Sequence, residues 1–369
     1  MKILHVNKYY ATSVGGIETV IRNIVDGLQK NGFENEVVTC DLGPSRMSIV
    51  DGVRVYYAHA IKVIKSVPIS FSFFWYFFKG TKKSDVVFIH HPFPPASLAY
   101  LIFGRNKPLF IWYHSDVVRQ KIINYILGPI IRASMRRAQK IFVSNKHIVT
   151  QSPVLKNYQS KCVVVPFGIN ICDYQKTDAI ERASLDIKKK FGTPIILSVG
   201  RLVHYKGFSY LIEAMKGIEA HLIIIGKGKL YRALMKQIKD LGLDDRITII
   251  QEVVSPIPFY AASDFVVFPS IYKSETFGLV QLEAMASGKP VINTNVHPGV
   301  CQISLHGVTG LTVAKEDSAA LHEAIKKMLT DQQLKEEFGA NALERVRVEF
   351  SMQNFVKKVG DNLINKECR

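Results

Sequence analysis

Short valine- and isoleucine-rich runs alternate with helix-length stretches along the whole chain, and this alternation limits the fold more than any other feature. It calls for parallel strands joined by crossover helices, so the expected class is α/β. A first series of strands is predicted at Lys2–Asn7, Glu36–Cys40, Val53–Ala58, Asp85–His90, Leu109–His114, Lys140–Ser144 and Cys162–Pro166. A second follows at Pro194–Gly200, His221–Gly226, Arg246–Gln251, Phe265–Pro269 and Pro290–Asn293. Between them Gly168–Gly192 is charged and weakly patterned, with Lys188-Lys189-Lys190 ahead of Phe191-Gly192. The chain of 369 residues therefore divides into a first domain over 1–170, a linker over 171–192 and a second domain over 193–349. Doubly wound sheets bind ligands at the carboxyl ends of their strands, which makes a cleft between the domains the expected active site. The tail, Asp331–Asn365, reads as helical and amphipathic but is too short for a third domain.

Charge is uneven. The net charge is +17, and residues 1–170 hold 22 Lys/Arg against 8 Asp/Glu. Between Val53 and Asn170 only Asp85 and Asp116 are acidic, so the first half carries a positive field suited to phosphate-rich partners. Nucleic acid, anionic lipid and nucleotide-linked substrates all fit that field. Five scattered cysteines without a CxxC pair argue against a disulfide framework and a structural zinc site. The opening Met1-Lys2-Ile3-Leu4 runs straight into a predicted strand, which points to a cytosolic protein. Two segments suit a membrane surface. Val67–Phe78 is apolar and aromatic, too short to span a bilayer, and followed by Lys79, Lys82 and Lys83. Arg119–Lys140 mixes isoleucines with Arg132, Arg136, Arg137 and Lys140. For both, a crossover helix with a solvated basic face remains an equal reading.

The most informative stretch runs from Pro269 to Pro290. It follows a predicted strand, opens a helix after Gly278 and contains Glu275 in the loop and Glu283 inside the helix. A helix start attracts anions, and a nearby carboxylate accepts hydrogen bonds from sugar hydroxyls; a nucleotide sugar offers both. Two glutamates alone would equally serve as a cap and a surface ion pair.

The whole stretch, Pro269-Ser270 followed by Ser274-Glu275-Thr276-Phe277-Gly278-Leu279-Val280-Gln281-Leu282-Glu283-Ala284-Met285-Ala286-Ser287-Gly288-Lys289-Pro290, resembles the Glu-x7-Glu signature of family 4 retaining glycosyltransferases of GT-B fold. The resemblance extends to Ser198–Gly207, Pro166–Ile169, Ile224–Gly228 and Gly15-Gly16-Ile17-Glu18, covering essentially the whole chain. It implies two Rossmann-like domains facing a central cleft, with a C-terminal helix, about 350–369, returning to the first. It implies Arg201 and Lys206 on the diphosphate, Glu275 near the sugar, Glu283 on the ribose hydroxyls, and Phe277, Gly278 and Leu279 along the substrate-binding turn. Gly15 and Gly16 would let the first domain's backbone approach the diphosphate. His114 matches the histidine placed over the donor sugar, and Asp116 would orient it or meet the acceptor. His90-His91 ends another predicted strand on the same rim and has no assigned role. Fixed cations suit the charge that develops on a departing diphosphate. The implied reaction is retaining, by front-face attack, with no metal and no cofactor, the nucleotide sugar being a substrate.

Trp112–Lys121 and Ile303–Val313 look like bacterial O-antigen and polysaccharide mannosyl- or rhamnosyltransferases. That likeness implies GDP-mannose as donor, with UDP-sugars the alternative, and an undecaprenyl-diphosphate-linked glycan as acceptor. It also implies peripheral attachment to the anionic cytosolic face of the inner membrane. Val296–Gln302 departs from the Gly-Val-Pro-Trp-like turn of such relatives. Two other classes share some of these features. A nicotinamide-dependent oxidoreductase lacks support because Val14-Gly15-Gly16-Ile17-Glu18 is not G-x-G-x-x-G. A nucleic-acid binder would explain the charge, but no binding module is present, and nucleic acid is not an expected partner.

Overall fold

Two sheets account for the apolar runs. The computed structural model describes residues 1–10, 16–64, 67–115, 121–272, 275 and 277–364, without the side chains of 121–126. The chain divides into one unit of Met1–Gly168 with Met352–Arg369 and a second of Ile169–Ser351.

In the first unit eight strands lie in the order Cys162–Val164, Ala138–Val143, Leu109–Tyr113, Val86–His91, Lys2–Val6, Glu34–Asp41, Val53–His59 and Arg46–Val50. All neighbours are parallel except the last pair. The second unit has six parallel strands in the order Ile247–Ile250, His221–Ile225, Ile195–Val199, Phe265–Phe268, Val291–Thr294 and Gly310–Val313. In both sheets the chain starts centrally, winds to one edge, then returns to the middle and winds the other way. The reversal leaves a crevice beside the first strand, where no crossover covers the strand ends. In the second unit that crevice lies between Ile195–Val199 and Phe265–Phe268.

Strands such as Leu109–Tyr113 and Phe265–Phe268 are buried at every residue, which is why they read as unbroken apolar runs. Arg46–Val50, the hairpin of Lys62–Ile64 with Val67–Ile69, and Gly310–Val313 were not predicted; they are short or half exposed. The stretch 171–192, expected as a linker, instead carries the helix Asp178–Phe191 of the second unit, packed on Ile257–Ala262. Thr177 caps it by accepting from the Ile180 N–H, and Lys188, Lys189 and Lys190 sit favourably at its C-terminus. Only Ser184 of that helix is fully buried, so no apolar stripe announced it.

Val67–Phe78 is likewise split. Its first residues pair as a strand, and the helix Phe71–Lys83 follows, capped by Ser70. Phe73 and Phe77 face the core while Phe71 and Trp75 are exposed. The tail forms Gln332–Glu349 in the second unit and Met352–Ile364 in the first, where the latter packs on Gly16–Lys30. Phe355 of this last helix meets the Trp112 ring edge-on at 5.6 Å. Among the described residues no helix is long and apolar enough to cross a membrane.

One glycine controls the crevice of the second unit. Gly207 has φ +70°, and a Cβ there would lie 2.0 Å from the Pro269 carbonyl oxygen. Only glycine lets the turn after Ile195–Val199 lie against the loop after Phe265–Phe268. Gly207→Ala is expected to lower stability by about 2–4 kcal/mol in denaturant titration. Gly217 shares the backbone conformation, at φ +71°, but has open space, and Gly217→Ala should cost only about 1 kcal/mol. Equal losses at the two positions would show that backbone strain, not loop contact, is what Gly207 relieves.

Candidate active site

The turn after Ile195–Val199 runs through Arg201 to a single helical turn, His204–Lys206, and ends at Gly207. The Ile271 N–H donates to the Tyr205 carbonyl at 2.8 Å, binding this turn to the neighbouring loop. Lys206 and Glu275 consequently meet: Lys206 Nζ donates to Glu275 Oε2 at 2.5 Å, with both side chains largely buried at 12% and 15% exposure. The Ser270 hydroxyl lies 3.4 Å from the same carboxylate oxygen. Lys206 Nζ also sits 4.8 Å above the Phe268 ring. Arg201 is exposed, and its guanidinium donates to the Tyr205 hydroxyl at 2.6 Å.

Gly278 ends the glutamate loop with φ +83° and precedes the helix Leu279–Ala286. A Cβ at Gly278 would press on Phe268 at 2.8 Å, so the glycine keeps the helix start against the ring beneath Lys206. Phe277 is buried edge-on to Phe350 at 6.3 Å, and Leu279 is half-buried at the first helical position. Glu283 accepts a hydrogen bond of 2.6 Å from the Tyr260 hydroxyl. Burial pushes the Glu283 carboxyl above its ordinary range, with the Tyr260 bond and the Lys206 charge opposing. Arg201, Lys206, Glu275, Phe277, Gly278, Leu279 and Glu283 thus all belong to the crevice loops and helix of the second unit.

His114 follows the strand Leu109–Tyr113 in the first unit and is buried at 6% exposure. Its main-chain N–H donates to the His91 carbonyl at 3.1 Å, and its ring stacks near Trp112 and tilts against Phe167. Burial lowers its pKa to about 3, with the charges at His91 and Lys8 acting in the same direction, so the ring is neutral at pH 7. Gly16 starts the helix Gly16–Lys30 and is exposed. Gly15 and Asp116 lie outside the described residues.

Sequence reasoning missed Tyr260, Tyr205 and Ser270, which hold Glu283, Arg201 and Glu275 respectively. Tyr205 and Ser270 both lie inside the motifs that carry the family resemblance, without an assigned role. Tyr260 lies 23 residues before its partner, and nothing local marks it. His5 and Asn35 were also missed; they join His90 and His114 in one buried polar row.

Comparison with known proteins places these features. Residues 14–171 match the model described as Glycosyltransferase Family 4, and residues 180–345 match Glycosyl transferases group 1. The D-rhamnosyltransferase WbpZ of Pseudomonas aeruginosa is 30% identical, the alignment covering 95% of this chain and 92% of that protein. The O-antigen chain mannosyltransferase C of Escherichia coli is 28% identical, covering 96% of each. Among solved structures, Anabaena HepE in complex with UDP and glucose superposes with a TM-score of 0.81 at 19% identity, over 99% of this chain and 100% of that one. Full-length similarity and a shared architecture lead to one assignment: the chain belongs to the family 4 glycosyltransferases and has their GT-B fold.

Proposed function

We propose that this glycosyltransferase moves mannose, with retention of configuration and without a metal ion, from GDP-mannose to a lipid-linked glycan during O-antigen synthesis. The observation that carries the reading is the Lys206–Glu275 pair at the second sheet's crevice, beside Glu283. As the C1–O bond breaks, its electron pair stays on the β-phosphate oxygen, and the ammonium of Lys206 with the guanidinium of Arg201 stabilises that charge. An ammonium has three N–H donors, and among the described residues Lys206 hydrogen-bonds only Glu275. The acceptor hydroxyl attacks the face the diphosphate is leaving, and the phosphate oxygen takes its proton. Glu275 receives sugar hydroxyls and Glu283 the ribose hydroxyls. The rhamnosyl- and mannosyltransferase relatives support the sugar class and the pathway, and the UDP complexes of Anabaena HepE support a nucleotide-sugar donor.

The direct test is a donor panel of GDP-mannose, GDP-D-rhamnose and UDP-glucose watched for transfer. GDP-mannose is expected to lead, and Lys206→Ala to lose roughly 10²–10³ in kcat. A chelator should leave the rate unchanged; loss restored by magnesium would overturn the metal-free reading. Glu283→Gln separates binding from stability. Because the folded pKa of Glu283 is raised, its ionisation costs stability as pH rises above the ordinary carboxyl range. The glutamine variant should therefore melt higher than wild type at pH 7.5 while binding GDP roughly tenfold more weakly.

The first unit supplies the membrane contact in this reading. Phe71 and Trp75 stand 77% and 54% exposed, and Lys79 lies 4.6 Å over the Trp75 ring. An apolar groove of about 170 Å³ continues the patch between Phe71, Pro94, Leu98 and Ile130. Aromatic rings beside lysines suit the headgroup region of an anionic bilayer. The double variant Phe71→Ser/Trp75→Ser should bind anionic vesicles at least tenfold more weakly in flotation. Equal flotation of wild type on neutral and anionic vesicles would remove the electrostatic part.

A further inference from the structure

Four neighbouring strands of the first sheet carry a row of buried polar side chains that the reaction as described does not use. Asn35 is on Glu34–Asp41, His5 on Lys2–Val6, His90 on Val86–His91, and His114 follows Leu109–Tyr113. Each step moves one strand across and two residues along. Ile3 pairs with Asn35 in the ladder, but His5 touches it; Phe88 pairs with His5, but His90 touches it; Trp112 pairs with His90, but His114 touches it. Residues two apart share a sheet face, so the four side chains form one diagonal line on a single face.

Every contact in the line is within hydrogen-bond distance. Asn35 Oδ1 is 3.0 Å from His5 Nε2, His5 Nδ1 is 3.3 Å from His90 Nε2, and His90 Nδ1 is 3.4 Å from His114 Nε2. The direction of the chain is set at its Asn35 end. Asn35 Nδ2 donates toward the main-chain carbonyls of Val25 at 3.3 Å and Phe33 at 3.2 Å, which can only accept. The amide therefore turns its oxygen to His5, and His5 must carry its proton on Nε2. All three imidazoles are buried and neutral at pH 7, because burial lowers His5 to about 4, His114 to about 3 and His90 well below its ordinary value. A neutral ring has one proton. With His5 protonated on Nε2, its Nδ1 accepts; His90 must then donate from Nε2 and accept at Nδ1; His114 must donate from Nε2. His114 Nδ1 is left as a bare acceptor, and it is buried with no partner among the described residues.

We propose that Asn35, acting through His5 and His90, fixes the ring tautomer of His114 so that His114 Nδ1 accepts a hydrogen bond from a hydroxyl of the sugar donor. The tautomer follows from contacts inside the first unit alone, whereas the hydroxyl partner rests on the glycosyltransferase reading given above. Asn35, His5 and His90 are positioning residues. A buried acceptor without a partner is costly, and a ligand hydroxyl donating to it removes that cost.

Nitrogen NMR of the full chain labelled with ¹⁵N-histidine reads the tautomer directly, each ring being assigned by its own glutamine variant. Ligand-free wild type should show His114 with a protonated Nε2 and a bare Nδ1. Asn35→Asp keeps an oxygen facing His5 and should preserve the pattern. Asn35→Leu should bring in the Nδ1-protonated form of His114 and lower kcat roughly tenfold. If that variant does not fold, His5→Phe removes the same restraint and should give the same spectral change. A wild-type His114 protonated on Nδ1 overturns the proposal, as does a His114 tautomer unchanged in both Asn35→Leu and His5→Phe. Saturation with GDP-mannose separates the two readings. A shift of the His114 Nδ1 signal supports the hydroxyl contact; a bare Nδ1 that does not respond overturns that contact while leaving the relay from Asn35 standing.

Discussion

The contact between Lys206 and Glu275 depends on two strands that are neighbours in space and far apart in sequence. The residues are 69 positions apart, and the strand order of the second sheet brings their loops together where the winding reverses. Such a pair is a weak source of stability, because removing both charges from water costs several kcal/mol that their attraction only partly returns. Its merit is chemical. The carboxylate holds an ammonium in a sheltered place without covering all its donors, and the Phe268 face below it excludes water from one side. In the proposed reaction a cation held in this way is already organised when the diphosphate begins to leave, and little reorganisation is left for that step.

The rim of the first sheet is built on the opposite principle. Among its described residues the first unit buries no Lys or Arg, and its central strands carry neutral imidazoles instead. Burial enforces that neutrality, and the nearby charge of Lys8 reinforces it at His114. An imidazolium there would suit an anion. A neutral ring with a defined lone pair instead suits a hydroxyl group. Under the proposed function, ionic recognition and hydroxyl recognition therefore fall to different sheets, each set by the dielectric around its strand ends.

The physics of burial also explains what could be read in advance. Central parallel strands are covered on both faces and so appear as uninterrupted apolar runs, which is why Leu109–Tyr113 and Phe265–Phe268 were predicted within a residue or so. Arg46–Val50 forms an antiparallel edge with alternate residues exposed, and it left no such run. Asp178–Phe191 has strong capping signals but only one buried side chain, so a helix passed for a linker. The residues of the candidate site were legible as a family motif, and their type and order carried the chemistry. Their distant supports were not, since Tyr260 and Asn35 act through contacts that the packing of separate elements creates and no local spacing encodes.

A fixed His114 tautomer would affect how a site of this kind separates similar sugars. Rhamnose differs from mannose by the loss of one hydroxyl, and an apolar pocket discriminates poorly against either, since a hydroxyl adds little bulk. A buried acceptor that must be filled behaves differently. When the ligand lacks the hydroxyl that would reach His114 Nδ1, the nitrogen stays unpaired, and the desolvation cost of about 1–3 kcal/mol remains in the complex. The free protein already carries that cost, so the discrimination is the relief that only a ligand with the hydroxyl brings. It holds only while the ring cannot turn its proton outward. A His114 free to protonate Nδ1 could donate to a sugar oxygen or to a water molecule, and the penalty would disappear. The amide of Asn35, three side chains away, removes that freedom, which links the selectivity of the rim to a residue that no substrate touches.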